Sequence, residues 1–275
     1  MARLSFDREL RAPKKQAPRI LCCDATRVVG RFTGMKVAAL IVAAGRGERA
    51  GGGVPKQYQR LLGRPVVSWS VRALAEAGVA PIAIAIAPEH ADLCRAATES
   101  GPAVRIVAGG ETRTASVRAG LAALPEAEIV LIHDAARPGL TPGMVEKLVA
   151  AIEAGAGGAA PALAVSDSLR RVDESGRIVG DVEREGVRRV QTPQAFRADV
   201  LRAAYAATAT NVVFSDDLAI ARANGAACVL IPGDPRLMKI TYPEDVALLE
   251  RLMSGERVTC VGTGFDAHRF GPATN

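Results

Sequence analysis

The sequence predicts a doubly wound α/β domain with a mostly parallel sheet and one protruding β-arm, on three observations. From Met35 onward, apolar runs of strand length alternate with amphipathic stretches of helix length, the rhythm of a sheet with helices on both faces. The strand runs are continuously apolar, as parallel strands buried on both faces are. One segment breaks the rhythm: residues 166–191 alternate charged and β-branched side chains around a turn signal, the pattern of an exposed hairpin.

Taken in order, "KVAALIVAA" after Met35 reads as the first buried strand. "RPVVSWSVRALAEAG" reads as a helix, with Pro65 near its start, where a missing N–H costs nothing, and Gly78 past its end. "PIAIAIA" is a second strand, "EHADLCRAATES" a helix and "AVRIVAG" a third strand. "TRTASVRAGLAAL" is a helix, "EIVLIHDA" a fourth strand, and "TPGMVEKLVAAIEAG" a helix beginning at Thr141-Pro142. The arm follows "GGAAPALAV" and turns at "DESGR"; with so little apolar side chain it is expected to pack on another surface, such as a second subunit. Helices near 198–208 and 215–224, a strand "ACVLIPG" and a helix in "YPEDVALLERLM" return to the α/β body. Three segments are expected: a basic leader over 1–34 without apolar periodicity, which is a disordered tail or a start placed too early; a main domain over 35–256; and a new strand pattern over 257–275.

Composition excludes several classes. The net charge of +6 sits in the leader, where residues 1–36 carry nine Lys/Arg against three Asp/Glu. The remaining 239 residues carry 26 of each, so the body lacks the basic face that tracks a nucleic-acid backbone. No apolar run reaches the roughly 18 residues that cross a bilayer, so neither a membrane nor a nucleic-acid partner is expected. Five cysteines with no C-x-x-C suit neither a disulfide framework nor a zinc site, and point to a reducing cytoplasm. Lysine is scarce, at six residues against 29 arginines, which draws attention to the lysines that persist.

Chemistry-bearing clusters follow the strands. Ligands of a doubly wound sheet bind beyond the carboxyl ends of its strands, and four polar clusters fall there: the glycine loop "AAGRGERAGGGVPKQY", then "GGETRTAS", "HDAARP" and "RLMKITYPED". Within the loop, Gly45-x-Gly47-x-x-Ala50 fits a dinucleotide fingerprint superficially. Gly51, Gly52, Gly53 and Pro55 prevent the immediate helix such a fingerprint needs, and Glu89, the nearest acid, lies about forty residues on, twice the usual spacing. A long loop of bare amides with Arg46, Arg49 and Lys56 suits a triphosphate whose leaving pyrophosphate gathers charge in the transition state.

Five motifs, "AAGRGERAGGGVPKQY", "GGETRTASVRAGL", "VLIHDAARP", "VQTPQAF" and "MKITYPEDV", give the chain from about 35 to 252 a resemblance to the 2-C-methyl-D-erythritol 4-phosphate cytidylyltransferases. The resemblance implies a Rossmann-like nucleotidyltransferase fold, transfer of CMP from CTP to methylerythritol phosphate with release of pyrophosphate, Mg²⁺ or another divalent cation, and a homodimer joined through the arm. Arg49 and Lys56 match the cations that stabilise the pentacoordinate α-phosphate, and their chemistry agrees with the charge argument. Ala43, Ala44, Gly45 and Gly47 match backbone around the nucleotide, and Gly110 and Ser116 match base and ribose contacts. Asp134 matches the carboxylate holding Mg²⁺, a role that suits a hard oxygen ligand; on its residues alone it reads equally as a helix N-cap. Arg137, Ser168 and Thr192 match acceptor contacts, and Arg184 and Lys239 match groups that position the acceptor, Arg184 from across the dimer. His133 reads as a satisfied strand-end histidine rather than a base.

Two departures stand out. Where the family shows Asp-Thr on the arm this chain has Asp167-Ser168; serine keeps the hydroxyl but loses the methyl that stiffens χ1, so slightly weaker acceptor binding is expected, reversed by Ser168→Thr. The C-terminal "RVTCVGTGFDAHRFG" resembles the opening of the 2-C-methyl-D-erythritol 2,4-cyclodiphosphate synthases. Asp266 and His268 then match two ligands of an incomplete divalent-metal site, Zn²⁺ being expected only in a complete partner domain, and the chain reads as a fragment of a bifunctional fusion without cyclase activity. Competing readings are a cytidylyltransferase for another polyol phosphate such as ribitol 5-phosphate, an NAD-dependent dehydrogenase, and a nucleotide-binding module without turnover.

Overall fold

The computed structural model describes residues 32, 34–45, 53–209, 212 and 214–255. Strand β1 (Val37–Ala43) leads through a 3-10 turn at Lys56–Tyr58 into a small ribbon of β2 (Arg60–Leu61) and β3 (Arg64–Pro65), then α1 (Val66–Glu76). Next come β4 (Ile82–Ile86), α2 (Ala91–Thr98), β5 (Arg105–Ala108), α3 (Arg113–Ala122), β6 (Ile129–Asp134), α4 (Pro142–Glu153) and β7 (Gly158–Ala164). A hairpin of β8 (Leu169–Val172) and β9 (Ile178–Val182) precedes β10 (Arg188–Val190), β11 (Gln194–Arg197), α5 (Ala198–Ala207), α6 (Asp217–Ala223), β12 (Cys228–Pro232) and α7 (Glu244–Met253).

The main sheet runs β5–β4–β1–β6–β11–β7, with β10 and β12 also paired to β7. Pairing is parallel from β5 to β6 and antiparallel at β10 and β11, so the sheet is mixed but mostly parallel. Side chains of a strand alternate between faces, and β1 shows the consequence. Val37, Ala39 and Ile41 join one core with Val67, Val71 and Leu74 of α1 and Val145 and Leu148 of α4. Ala38 and Leu40 join the other core, with Val117 and Leu121 of α3 and Leu201 of α5. Each fully buried leucine of this kind contributes about 2 kcal/mol of hydrophobic stabilisation.

The hairpin is shorter than the 166–191 expected. Arg188–Val190 pairs antiparallel with Ala162–Ala164 of the main sheet, and Val190 packs against its core. The alternating pattern continues through that strand, so periodicity could not separate the two. The turn itself follows from local chemistry. Asp173 accepts hydrogen bonds from the Ser175 amide at 2.9 Å and the Arg177 amide at 3.0 Å, while Gly176 takes φ +82°, a region open to glycine.

Candidate active site at the carboxyl edge of the sheet

A cavity of about 1030 Å³ opens past the carboxyl ends of β1, β4, β5 and β6. Its lining includes Ala43, Ala44 and Gly45 after β1, Gly110, Arg113 and Ser116 after β5, Asp134 at the end of β6, and Lys56 and Lys239.

One wall is neutral and close-packed. The buried Gln57 side chain donates to the carbonyls of Ala43 at 2.8 Å and Gly45 at 3.0 Å, fixing the chain where it leaves β1. Ser116 accepts the Gly110 amide at 3.1 Å and donates to the Thr112 carbonyl at 3.0 Å. Ser116 is therefore buried wall rather than helix surface. A Cβ on Gly109 would lie 2.7 Å from Ala44 Cβ and 2.9 Å from Ser116 Oγ, so only glycine lets these two strand ends approach.

The other wall is ionic and centres on Asp134. Lys239 Nζ donates to Asp134 Oδ2 at 2.8 Å, Arg137 Nε lies 3.5 Å from the same oxygen, and Arg113 Nε lies 3.6 Å from Oδ1. Burial alone would raise the Asp134 pKa; Lys239, Arg113 and Arg137 outweigh it and hold the carboxyl well below the usual carboxylate range. Asp134 is thus an ionised carboxylate at the cavity, a donor that fits a hard divalent cation held partly by phosphate oxygens. The N-cap alternative fails, because the next helix, α4, is capped by Thr141.

Backbone contacts knit the cations together. Lys56 Nζ donates to the Ile240 carbonyl at 2.8 Å, and the Ile240 amide donates to the Ala136 carbonyl at 2.9 Å. Lys56 and Lys239, which are 183 positions apart in sequence, thereby meet on one strip. Behind Asp134, Arg137 sends its guanidinium to the Leu237 carbonyl at 2.7 Å and is absent from the cavity lining.

His133 has no exposed surface. Its Nε2 faces the Arg137 carbonyl at 3.0 Å and Ser70 Oγ at 3.1 Å, and its Nδ1 faces Thr192 Oγ1 at 3.0 Å. Burial pushes the imidazole down to about 4, so it is neutral near pH 7 and satisfied on both nitrogens.

Of the residues singled out in the sequence, the cavity gathers Ala43, Ala44, Gly45, Lys56, Gly110, Ser116, Asp134 and Lys239. Thr192 is buried behind it: its hydroxyl accepts the Asp134 amide at 3.0 Å and lies 3.0 Å from His133 Nδ1. Ser168 and Arg184 are exposed at the base of the hairpin, where Arg184 donates to the Ser166 carbonyl; neither lines this chain's cavity. Gly47, Arg49, Asp266 and His268 lie outside the described residues.

Sequence reasoning missed Arg113, Asp217 and Gln57. Arg113 lines the cavity and donates to the fully buried Asp217 at 2.7 Å, which also accepts the Tyr205 hydroxyl. The adjacent acids Asp216 and Asp217 thus split their work: Asp216 caps α6, accepting the Ala219 amide at 2.8 Å, while Asp217 holds Arg113. The signal available was the basic residue within "GGETRTAS", a cluster already placed at a strand end.

Comparison with known proteins places the chain in one family. The sequence profile of the family described as 2-C-methyl-D-erythritol 4-phosphate cytidylyltransferase matches residues 37–255. A protein of that name from Cereibacter sphaeroides is 47% identical over 226 residues, covering 80% of this chain and 98% of that protein. A bifunctional enzyme named IspD/IspF from Caulobacter vibrioides is 46% identical over 241 residues, covering 86% of this chain and 62% of that enzyme. The chain thus spans about three-fifths of such bifunctional relatives. The crystal structure of the cytidylyltransferase from Thermus thermophilus superposes with TM-score 0.65 at 34% identity, covering 79% of this chain and 98% of that one.

Proposed function

The chain belongs to the 2-C-methyl-D-erythritol 4-phosphate cytidylyltransferase family, and on that premise we propose that its cavity binds CTP and transfers CMP to 2-C-methyl-D-erythritol 4-phosphate, releasing pyrophosphate. The observation that carries the proposal is the meeting of Lys56, Lys239 and ionised Asp134 with the glycine-lined wall around one cavity.

The neutral wall supports nucleotide binding: Ala43–Gly45 and Gly110 present backbone to the base and ribose, with Ser116 holding Gly110 in place. Lys56, with Arg49 from the glycine loop, neutralises charge that develops on the α-phosphate and the departing pyrophosphate, the interaction that separates transition state from ground state. Asp134 would hold Mg²⁺, which when bound screens the triphosphate and orients it. Lys239 at the cavity supplies positive charge beside Asp134 for the acceptor's phosphate, Arg137 adds to that field from behind the carboxylate, and holding the acceptor's hydroxyl in line supplies the remaining rate.

The exposed hairpin supports a homodimer in which Arg184 and Ser168 serve the partner's cavity, since Val172, Ile178 and Val179 leave apolar surface uncovered on one copy. On the same reading, residues 257–275, with Asp266 and His268, resemble the opening of a cyclodiphosphate synthase domain. Residence in the cytoplasm is part of the same reading; among the described residues no helix is long and apolar enough to cross a membrane.

The test is pyrophosphate release from CTP and Mg²⁺ with methylerythritol phosphate or ribitol 5-phosphate, beside Lys56→Ala. Release with methylerythritol phosphate, reduced about 100-fold or more in the alanine variant, is the expected result. Equal release from the variant removes Lys56 from the mechanism, and preference for ribitol phosphate changes the acceptor.

A further inference from the structure

Asp134 and Arg137 bracket a tight turn, closed by the Arg137 amide donating to the Asp134 carbonyl at 3.0 Å. A second, side-chain path joins the same two residues through the protein interior. The Arg137 carbonyl can only accept, so His133 Nε2 carries the proton there, and in the neutral ring Nδ1 then accepts from the Thr192 hydroxyl. Thr192 Oγ1 in turn accepts the Asp134 amide at 3.0 Å. Every bond runs one way: Asp134 N–H to Thr192, Thr192 O–H to His133, His133 Nε2–H to the Arg137 carbonyl. Ser70 of α1 supports the far end, with its Oγ 3.1 Å from Nε2 and donating to the Arg137 carbonyl at 3.4 Å.

The path draws on β6, α1 and the link between β10 and β11, and Ser70, His133 and Thr192 are all buried. It ties down the ends of the turn while leaving the Asp134 carboxylate in the cavity lining. A polar network this deep, in which the Ser70, His133 and Thr192 side chains all have partners, fixes one arrangement of the backbone it holds.

We infer that His133 is a positioning residue, acting with Thr192 to lock the 134–137 turn so that the Asp134 carboxylate and the Arg137 guanidinium are set together. The inference rests on the cytidylyltransferase reading for its kinetic consequences and on the hydrogen-bond path for its existence. Thr192, on this account, acts through Asp134 and His133 rather than on the acceptor directly.

Two conservative variants separate the ends of the path. The amide of His133→Gln reaches the Nε2 position and keeps the donor to the Arg137 carbonyl, whereas His133→Asn reaches the Nδ1 position and keeps an acceptor for Thr192. His133→Gln should raise the KM for Mg²⁺–CTP about fivefold with the acceptor KM within twofold, and His133→Asn should do the reverse. Thr192→Val should behave like His133→Gln, and Thr192→Ser should stay within twofold of the parent. Equal kcat losses in both His133 variants with unchanged KM values, or an acceptor-only effect in Thr192→Val, overturn the inference. A second measurement does not require folded variants: ¹⁵N NMR of the unsubstituted full chain at pH 7 should show a neutral imidazole protonated at Nε2, and protonation at Nδ1 overturns the path outright. If the parent chain releases no pyrophosphate, the cytidylyltransferase reading falls, while the imidazole spectrum still decides the path.

Discussion

The ionic wall of the cavity and the β8–β9 hairpin both carry paired charges, and they hold them in opposite ways. On the wall, the hydrogen-bonded ion pairs join distant parts of the chain: Lys239 reaches Asp134 across 105 positions and Arg113 reaches Asp217 across 104. On the hairpin, partners are neighbours by sequence or by register, as Arg170 faces Asp181 at 3.1 Å and Asp173 binds its own turn. Wall geometry is therefore a property of the whole fold, and hairpin geometry a property of a short stretch of chain. Substitutions on the wall should cost activity and stability together; those on the hairpin should cost neither until something covers it.

Asp134→Asn is the strongest attempt to break that contrast. It leaves Lys239, Arg137 and Arg113 around a neutral amide in a largely buried site. Removing one member of a buried ionic cluster destabilises by about 3 kcal/mol, and losing a transition-state electrostatic group costs about 100- to 1,000-fold in rate. Urea unfolding and pyrophosphate release should show both losses. A variant of parental stability would mean that the cations do not depend on Asp134.

Gly109→Ala tests the neutral wall. The added methyl meets Ala44 Cβ at 2.7 Å, Ser116 Oγ at 2.9 Å and the Ile86 carbonyl at 3.1 Å, so the strand ends must move apart. Overpacking of this kind costs about 1–3 kcal/mol, and a comparable loss of nucleotide binding is a rise in CTP KM of about tenfold or more. An unchanged KM would place the nucleotide away from Gly109.

Acidification provides a third comparison. His133 titrates at about 4 in the folded chain and near its ordinary value of about 6.5 when unfolded. Between those values the unfolded chain binds the extra proton, so stability is lost as pH falls through that window, by up to roughly 3 kcal/mol. His133→Asn should flatten this part of the urea-derived stability profile. Substitutions confined to the exposed hairpin should leave it unaltered.

How much was legible in the sequence follows the same division. The α/β rhythm, the Thr141-Pro142 helix start and the "DESGR" turn were readable because each depends on a few adjacent residues. The four polar clusters could be assigned to one sheet edge, since parallel strands all deliver their carboxyl ends there. The pairing of Arg113 with Asp217 and of Thr192 with His133 could not, because register between distant segments is set by packing of the whole core. The boundary between hairpin and β10 was missed for a related reason: which sheet an alternating strand joins is a tertiary choice.

The smallest effect is expected from Ile178→Ser at the hairpin tip. Ile178 is 67% exposed and Val179 57%, so a single copy gains little from either, and unfolding at low concentration should shift by no more than about 0.5 kcal/mol. The contrast sharpens as concentration rises. If a second copy covers the tip, the substitution removes about 2 kcal/mol of apolar burial at each symmetric contact, enough to weaken association visibly in light scattering or sedimentation. Stability lost in the single copy instead would mean that Ile178 already packs within its own chain. The hairpin would then belong with the wall, as structure held by distant parts of the fold.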